Sequence, residues 1–421
     1  MRAVTGAARS RRTLLFGGKL FDGIQEAYRE DQAVLIDDGT ISAVGRRNDF
    51  GSRTDVERLD CSDAWILPGL INVHVHLTFM YLTGPTEKLR VRSHTEEALH
   101  AARIARVLLA QGITTARDMG GRFGIPIEIR DSLARGRLVG PELLVCGLPL
   151  SITGGHAWYM SLQSDGADHF RRGARSQLKA GADFIKFMAS HDPWKPRPNG
   201  EFTRPELSEE EMRAAIDEAH AWGRLAGCHV MGSEMISRVL EAGVDIIEHG
   251  QYLTQEQARL MSERRIYLTP TLSSYDVQTM HPRFERGEAW GREHAKLLPG
   301  HASAVRNAVE AGVSMLVGTD SVGVYWEEVG LLREHGVSPA ETLRSCTSTA
   351  ARALHLADRI GTVEEGKQAD LVVLNHDPMV DARALRDVRL VFKAGVAYTP
   401  GDLVASEHLE AEDLWELARY D

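Results

Sequence analysis

The sequence predicts an α/β fold: a (β/α)8 TIM-like barrel with a small β-sandwich domain built from both chain ends. Three observations carry this expectation. From residue 69 to residue 358, short apolar segments of strand length alternate with amphipathic helical stretches, the pattern of βα units around a parallel sheet. Eight such strand segments can be counted, the number that closes a barrel of this kind. On either side of that stretch the apolar pieces are broken by Gly and Asp turns instead, as in a β-rich module.

The elements follow in order. Residues 1–12 read as a loose basic segment. Its twin arginine, Arg11 and Arg12, precedes only Leu14, Leu15 and Phe16 before glycines and Lys19. That apolar run is shorter than the roughly 7–15 residues of an export-signal core, so a first strand is expected there. Residues 13–68 supply "LLFGGKLFDG", "AVLIDDGTISAVG" and "ERLDCSDAWILPG", the first part of the small domain. The barrel strands are expected at 70–76, 112–118, 142–149, 183–188, 225–230, 244–249, 266–270 and 314–320. Helical stretches between them include "HTEEALHAARIARVLLAQG" and "SEEEMRAAIDEAHAWG"; in the latter, Ser208 and Glu211 form a capping box. Two long connections, 189–206 and 271–300, follow the fourth and seventh strands, and loops of such length are usually functional or disordered. Residues 359–403 return to strand-and-turn patterning and complete the small domain, and 404–421 read as a charged C-terminal helix.

Composition narrows the function classes. Asp and Glu number 59 against 49 Lys and Arg, a formal net charge of -10, which disfavours a nucleic-acid partner. Cys61, Cys146, Cys228 and Cys346 are scattered without a CxxC pair, as expected of reduced thiols in a cytoplasmic protein. No apolar run is long enough to cross a membrane.

The chemistry lies at the ends of the expected strands. "LPGLINVHVHL" (67–77) carries His74 and His76 two residues apart, on one face of a strand. Two neighbouring imidazoles are costly to bury unless something satisfies them. Lys186 ("FIKFM"), His229, His249 and Asp320 occupy the ends of the fourth, fifth, sixth and eighth strands. In a barrel the C-terminal strand ends converge on one mouth, where active sites lie. Four imidazoles and a carboxylate suit a divalent transition metal, zinc first, with manganese, cobalt or nickel as alternatives. A single His at a strand end is more often a hydrogen-bonded structural residue; the joint arrangement is what points to metal. Lys186 is the oddest member, because a lysine inside an apolar strand is rarely buried without a partner.

The pattern resembles the amidohydrolase superfamily along nearly the whole chain. "LPGLINVHVHL" is similar to its opening HxH strand, "GITTARDMGG" to its second and "GTDS" to its last. "AARALHLADRIGTVEEGKQADLVVLN" is similar to the exit into its small domain. "TGGH" (153–156), "FIKFMAS", "CHVMG" and "IEHG" resemble the binuclear-metal branch, which includes prolidase-like and carboxypeptidase-like amidohydrolases, ochratoxin-type amidases and, more distantly, imidazolonepropionases. The resemblance implies two divalent ions, most simply zinc. His74, His76 and Asp320 would hold one and His229 and His249 the other, with Lys186 carboxylated by CO₂ and bridging them. Asp320 would be the general base, moving a proton from the attacking water to the leaving amine. A homo-oligomer is compatible with the family, although no interface is specified by the sequence.

Around this centre, His156 stands behind two glycines, either as a contact for the substrate carbonyl or transition state or as a loop-packing residue. His191, Trp194, Tyr325 and Trp326 lie in loops expected at the mouth, where they would either floor an apolar substrate or pack the loops together. One departure matters. Carboxypeptidase-like members carry a tyrosine in HxYG, where this chain has Met231, and a thioether cannot donate a hydrogen bond to a carboxylate. The expected function is hydrolysis of an amide-like C–N bond in a small molecule: an N-acyl amino acid, dipeptide, aryl amide or lactam. The nucleophile would be a metal-bridging hydroxide. The competing expectation is non-hydrolytic use of the same centre, as a decarboxylase, dehydratase or ring-rearranging enzyme.

Overall fold

The computed structural model describes residues 12–51, 55–80, 92–191, 198–275 and 296–404. The N-terminal segment up to Arg11, Trp194 and the helix expected beyond Val404 lie outside the described residues. The N-terminal stretch forms β1 (Thr13–Leu20), β2 (Arg29–Asp37), β3 (Thr40–Arg46), β4 (Glu57–Asp60) and β5 (Trp65–Pro68). The chain then builds β6 (Leu70–Val75), β7 (Ile113–Asp118), β8 (Glu142–Val145), β9 (Leu150–Ser151) and β10 (Leu162–Gln163). It continues through β11 (Phe184–Met188), β12 (Ser190–His191), β13 (Arg204–Pro205), β14 (Leu225–Val230), β15 (Ile246–His249) and β16 (Tyr267–Thr269). Near the C-terminus come β17 (Leu371–Leu374), β18 (Val388–Lys393) and β19 (Val396–Tyr398).

The two chain ends meet in one eight-stranded sheet rather than a two-sheet sandwich. β17 pairs antiparallel with β5, Leu371 opposite Pro68 and Leu374 opposite Trp65, so the C-terminal strands extend the N-terminal sheet at its edge. Alternation explains why no second sheet is needed. Leu371 and Val373 pack with Leu15, Val34, Ile66 and Phe392 in the sheet's own cluster. Val372 and Leu374 point the other way, into the large core formed by the βα units. Both faces are therefore covered.

The parallel strands keep the expected order but are not one closed ladder. β6–β7–β8 form one sheet, and β10–β9–β11–β14–β15–β16 another. The eighth segment, expected at 314–320, is reduced to bridges: Met315 to Leu268 on one side and Asp320 to Val75 on the other. Its backbone still bonds both neighbours, Leu316 N–H to Leu268 O at 2.9 Å and Val73 N–H to Val317 O at 2.9 Å. Two features interrupt regular pairing here. Asp320 has φ +56°, and Gly318 presses its backbone against the side chains of His74 and Thr269.

Helices between the strands are set by their caps. Ser208 Oγ accepts Glu211 N–H at 3.3 Å while Ser208 N–H donates to the Glu211 carboxylate at 2.8 Å, so the expected capping box starts the helix Glu209–Ala221. Ser93 with Glu96 does the same for His94–Ala110. No helix among the described residues is long and apolar enough to cross a membrane.

A Cβ on Gly318 would stand 2.6 Å from the Cβ of His74 and 2.5 Å from Cγ2 of Thr269. Gly318→Ala is therefore expected to lower unfolding free energy by about 1–3 kcal/mol, the usual cost of overpacking. Urea titration monitored by circular dichroism measures it; an unchanged midpoint would show that the strands can separate without loss.

Candidate metal centre

The strand ends bring five expected residues to one place. The ring of His74 lies 5.4 Å from that of His76 and 5.1 Å from that of His249, centroid to centroid. His229 and His249 are 4.6 Å apart. His76 Nε2 stands 3.7 Å from Asp320 Oδ1. Among the described residues, His74, His249 and Asp320 are the group whose ligating atoms all lie within 4.8 Å of one another. That trio takes members from both of the ligand sets expected from sequence. The imidazoles and Lys186 are almost inaccessible, while the Asp320 side chain keeps 21% exposure and so faces the mouth.

The protons on three imidazoles follow from their neighbours. His74 Nδ1 meets Glu248 Oε2 at 2.9 Å. Burial would raise the Glu248 carboxyl, but Arg117, His74 and Lys186 together hold it at about 2; as a carboxylate it can only accept, so Nδ1 carries the proton. His76 Nδ1 donates to Gly120 O at 2.7 Å. His249 Nδ1 meets Thr271 Oγ1 at 2.7 Å, and that hydroxyl spends its one proton on Pro270 O at 2.6 Å. It must therefore accept from His249. All three rings are held as the Nδ1–H tautomer with a lone pair on Nε2, the form in which imidazole binds metal. Burial lowers the His74 imidazole to about 4 and that of His249 well below its usual value, which keeps both neutral.

Lys186 is the second sign that the residues fit a metal. It is 2% exposed, and among the described residues its side-chain amine makes no hydrogen bond or ion pair. Burial lowers its ammonium below the ordinary range, against the pull of Glu248. A buried lysine without a partner is unfavourable as a cation, so either neutralisation or conversion to an anion relieves it. Asp320 shows the opposite balance. Burial raises its carboxyl, but His74, His76 and Lys186 outweigh this and hold it below the usual carboxylate range.

The amidohydrolase family model matches residues 65–399. The chain belongs to the amidohydrolase family. It is thus an amidohydrolase-family enzyme, a hydrolase acting on C–N bonds. It is 28% identical to the ochratoxinase of Aspergillus niger over 419 residues, covering 90% of this chain and 84% of that one. The crystal structure of a Xaa-Pro dipeptidase with bound methionine in the active site superposes with a TM-score of 0.82 at 28% identity, over 92% of this chain and 100% of the other. That of a prolidase complexed with N-methylphosphonate-L-proline gives 0.84 at 26% identity, over 92% and 99%.

The expected substrate contacts of this amidohydrolase are spread unevenly. His156 stacks on His229 with centroids 3.9 Å apart and an interplanar angle of 15°, and its N–H donates to Glu206 at 2.8 Å. His191 meets His156 edge-on at 5.4 Å. Met231 is fully buried with Tyr275 and Leu297, and Tyr275 in turn meets the His249 ring at 5.8 Å. Tyr325 and Trp326 do not belong with them. Tyr325 is buried and donates its hydroxyl to Ile71 O at 2.8 Å, at the start of β6 rather than at its histidine end. Trp326 packs on Val322 and Val324 with Arg386 over its ring at 5.6 Å. Both are wall residues because the helix Tyr325–Glu334 begins at Tyr325, where a mouth loop was expected.

Two residues escaped the sequence reading, Glu248 and Arg117. Arg117 is fully buried, donates through Nε to Val73 O at 2.8 Å, and pairs through Nη2 with Glu248 Oε1. The signal was available: like Lys186, each is a charge inside an apolar strand segment, "TTARD" and "DIIEH".

Removing one partner of a buried ion pair leaves the other charge uncompensated. Arg117→Met is expected to cost about 3–5 kcal/mol in chemical denaturation. A loss below 1 kcal/mol would mean that His74 alone suffices to hold Glu248.

Proposed function

We propose that this protein is a binuclear metal-dependent hydrolase that cleaves an amide C–N bond in a small molecule. The observation that carries the reading is the meeting of three oriented imidazoles and Asp320 at the strand ends, within the electrostatic reach of a buried lysine whose amine has no hydrogen-bond partner among the described residues. In this reading His74, His76 and Asp320 would hold one divalent ion and His229 and His249 the other. Lys186, carboxylated on its amine, would be a shared ligand: the carbamate would turn an awkward cation into a two-oxygen anionic group. Bound ions of this kind supply Lewis acidity, acidifying water toward neutral pH and polarising a carbonyl.

The chain's own groups do the rest. Asp320, held ionised and still exposed at the mouth, takes the proton of the attacking water and delivers it to the departing nitrogen. Its Oδ1 accepts Ser321 N–H at 2.6 Å, which fixes the carboxylate while Oδ2 remains for the proton. His156, stacked on His229, faces the substrate carbonyl. Relatives named ochratoxinase, prolidase and Xaa-Pro dipeptidase support an amide or peptide bond as the target. The apolar packing of Met231 favours amides whose binding does not depend on a free carboxylate at that position, such as aryl amides and lactams.

Mass spectrometry of a library tests this, pairing N-acyl amino acids and dipeptides with matched amides and lactams. Product masses are expected to sum to substrate plus one water; a product lighter by CO₂ or water would overturn hydrolysis. Asp320→Asn is expected to lower kcat by about 10²–10⁴-fold, the usual worth of a general acid–base group. In ¹³C-bicarbonate the wild type is expected to show a carbamate carbon by NMR that Lys186→Ala lacks; its absence from the metal-loaded wild type would remove the bridging role.

A further inference from the structure

Glu328 lies outside the ring of imidazoles, on the helix Tyr325–Glu334, and has no solvent exposure. Its Oε1 accepts Leu272 N–H at 3.0 Å and its Oε2 accepts Ser273 N–H at 2.7 Å. Both oxygens are thus used on consecutive backbone donors at the start of the helical turn 272–275 that follows β16. Thr271 leads into that turn as a β-branched residue at φ +54°, a conformation that persists only where surrounding contacts impose it. Burial raises the Glu328 carboxyl to about 7 against the stabilising pull of these N–H groups.

The turn is closed from a second side. Gly323 N–H donates to Thr319 O at 2.8 Å. A Cβ on Gly323 would fall 2.5 Å from Ser273 Oγ and 3.0 Å from Ser274 N, so only glycine lets the chain leaving Asp320 run this close. The segment that carries Asp320 and the turn that Thr271 leads into are therefore clamped together, with Glu328 as the polar half of the clamp. What the clamp holds in place is the Thr271 hydroxyl, which donates to Pro270 O and accepts from His249 Nδ1.

We infer that Glu328 is a positioning residue: through the backbone of Leu272 and Ser273 it keeps Thr271 in the conformation that locks His249 as the Nδ1–H tautomer, with Nε2 turned to the metal site. The inference rests on the reading of His249 as a metal ligand. It adds a carboxylate that touches neither substrate nor metal yet decides which nitrogen of His249 can bind. Glutamine cannot replace it, because its NH₂ would face one of the two backbone N–H donors.

The test reads His249 directly. Imidazole ¹⁵N NMR of the metal-free full-length protein gives the tautomer, and titration with Zn²⁺ in chelator buffers gives affinity for each ion. Wild type is expected to show Nδ1–H at His249. Glu328→Gln and Thr271→Val are each expected to populate the other tautomer and weaken one of two Zn²⁺ ions by about 10–100-fold, as loss of an outer-shell partner usually does. Thr271→Ser, which keeps the hydroxyl, should restore both. The double variant should be no worse than Thr271→Val alone, since Glu328 acts through Thr271.

A purely structural Glu328 would lower the melting temperature and leave the tautomer unchanged, and that result overturns the inference. If instead the tautomer changes while both Zn²⁺ affinities stay constant, the positioning role stands and His249 is not a ligand. Should Glu328→Gln fail to fold, Glu328→Asp keeps the charge, shortens its reach and is read in the same way.

Discussion

The centre of this amidohydrolase depends on one buried carboxylate. Glu248 is enclosed between the guanidinium of Arg117 and the Nδ1 of His74, and none of the three is exposed by more than 1%. An unpaired charge at that depth would be prohibitive, so the three residues fold together or not at all. They sit on β15, β7 and β6, strands that belong to two separate ladders. The ion pair therefore adds a side-chain tie between two ladders that are otherwise linked by a few backbone hydrogen bonds, such as those of Leu316 and Val317.

The same carboxylate is one of three different acceptors that orient the imidazoles. His74 is held by a carboxylate, His76 by the Gly120 carbonyl and His249 by the Thr271 hydroxyl. Different chemistry gives a common result: each proton is drawn outward to Nδ1 and each Nε2 lone pair is left inward. Asp118 supports the second of these from behind, accepting Leu77 N–H and Gly120 N–H at 2.8 Å each and so fixing the turns on either side of His76. Backbone strain collects at the same place, with His249, Thr271 and Asp320 all at positive φ. Such conformations persist where the surrounding packing over-determines them, and they are a common mark of functional sites.

The shared sheet supports the βα units from outside the centre. Its strands come from both ends of the chain, and alternate residues of β17 fill two different cores. The βα units thus lean on a sheet that they also cover, and the N- and C-terminal stretches become one support. Around the imidazoles the neighbourhood mixes polar and apolar walls. His156 and His191 extend the line of imidazoles outward from His229, while Met231, Tyr275 and Leu297 make an apolar cluster beside His249.

Much of the architecture was legible in the sequence because it rests on local periodicity and turn chemistry. The strand of residues 225–230, the Ser208 capping box and the alternation of β and α elements all obey rules that act within a few residues. His74, His76, Lys186, His229, His249 and Asp320 could be singled out for a similar reason: each is a polar group in or at the end of an apolar segment, which needs no partner to be noticed. What tertiary structure alone decided was pairing and direction. That Glu248 and Arg117 neutralise each other, that Thr271 fixes a proton on His249, and that the chain ends merge in one sheet depend on contacts spanning 22 to more than 300 residues. Tyr325 marks the boundary most plainly. Its type and its place after the last strand suited a mouth residue, yet its hydroxyl bonds Ile71, 254 positions away. No local pattern encodes such a choice, because the free energy that selects it, the burial and satisfaction of a polar group, exists only once distant segments have come together.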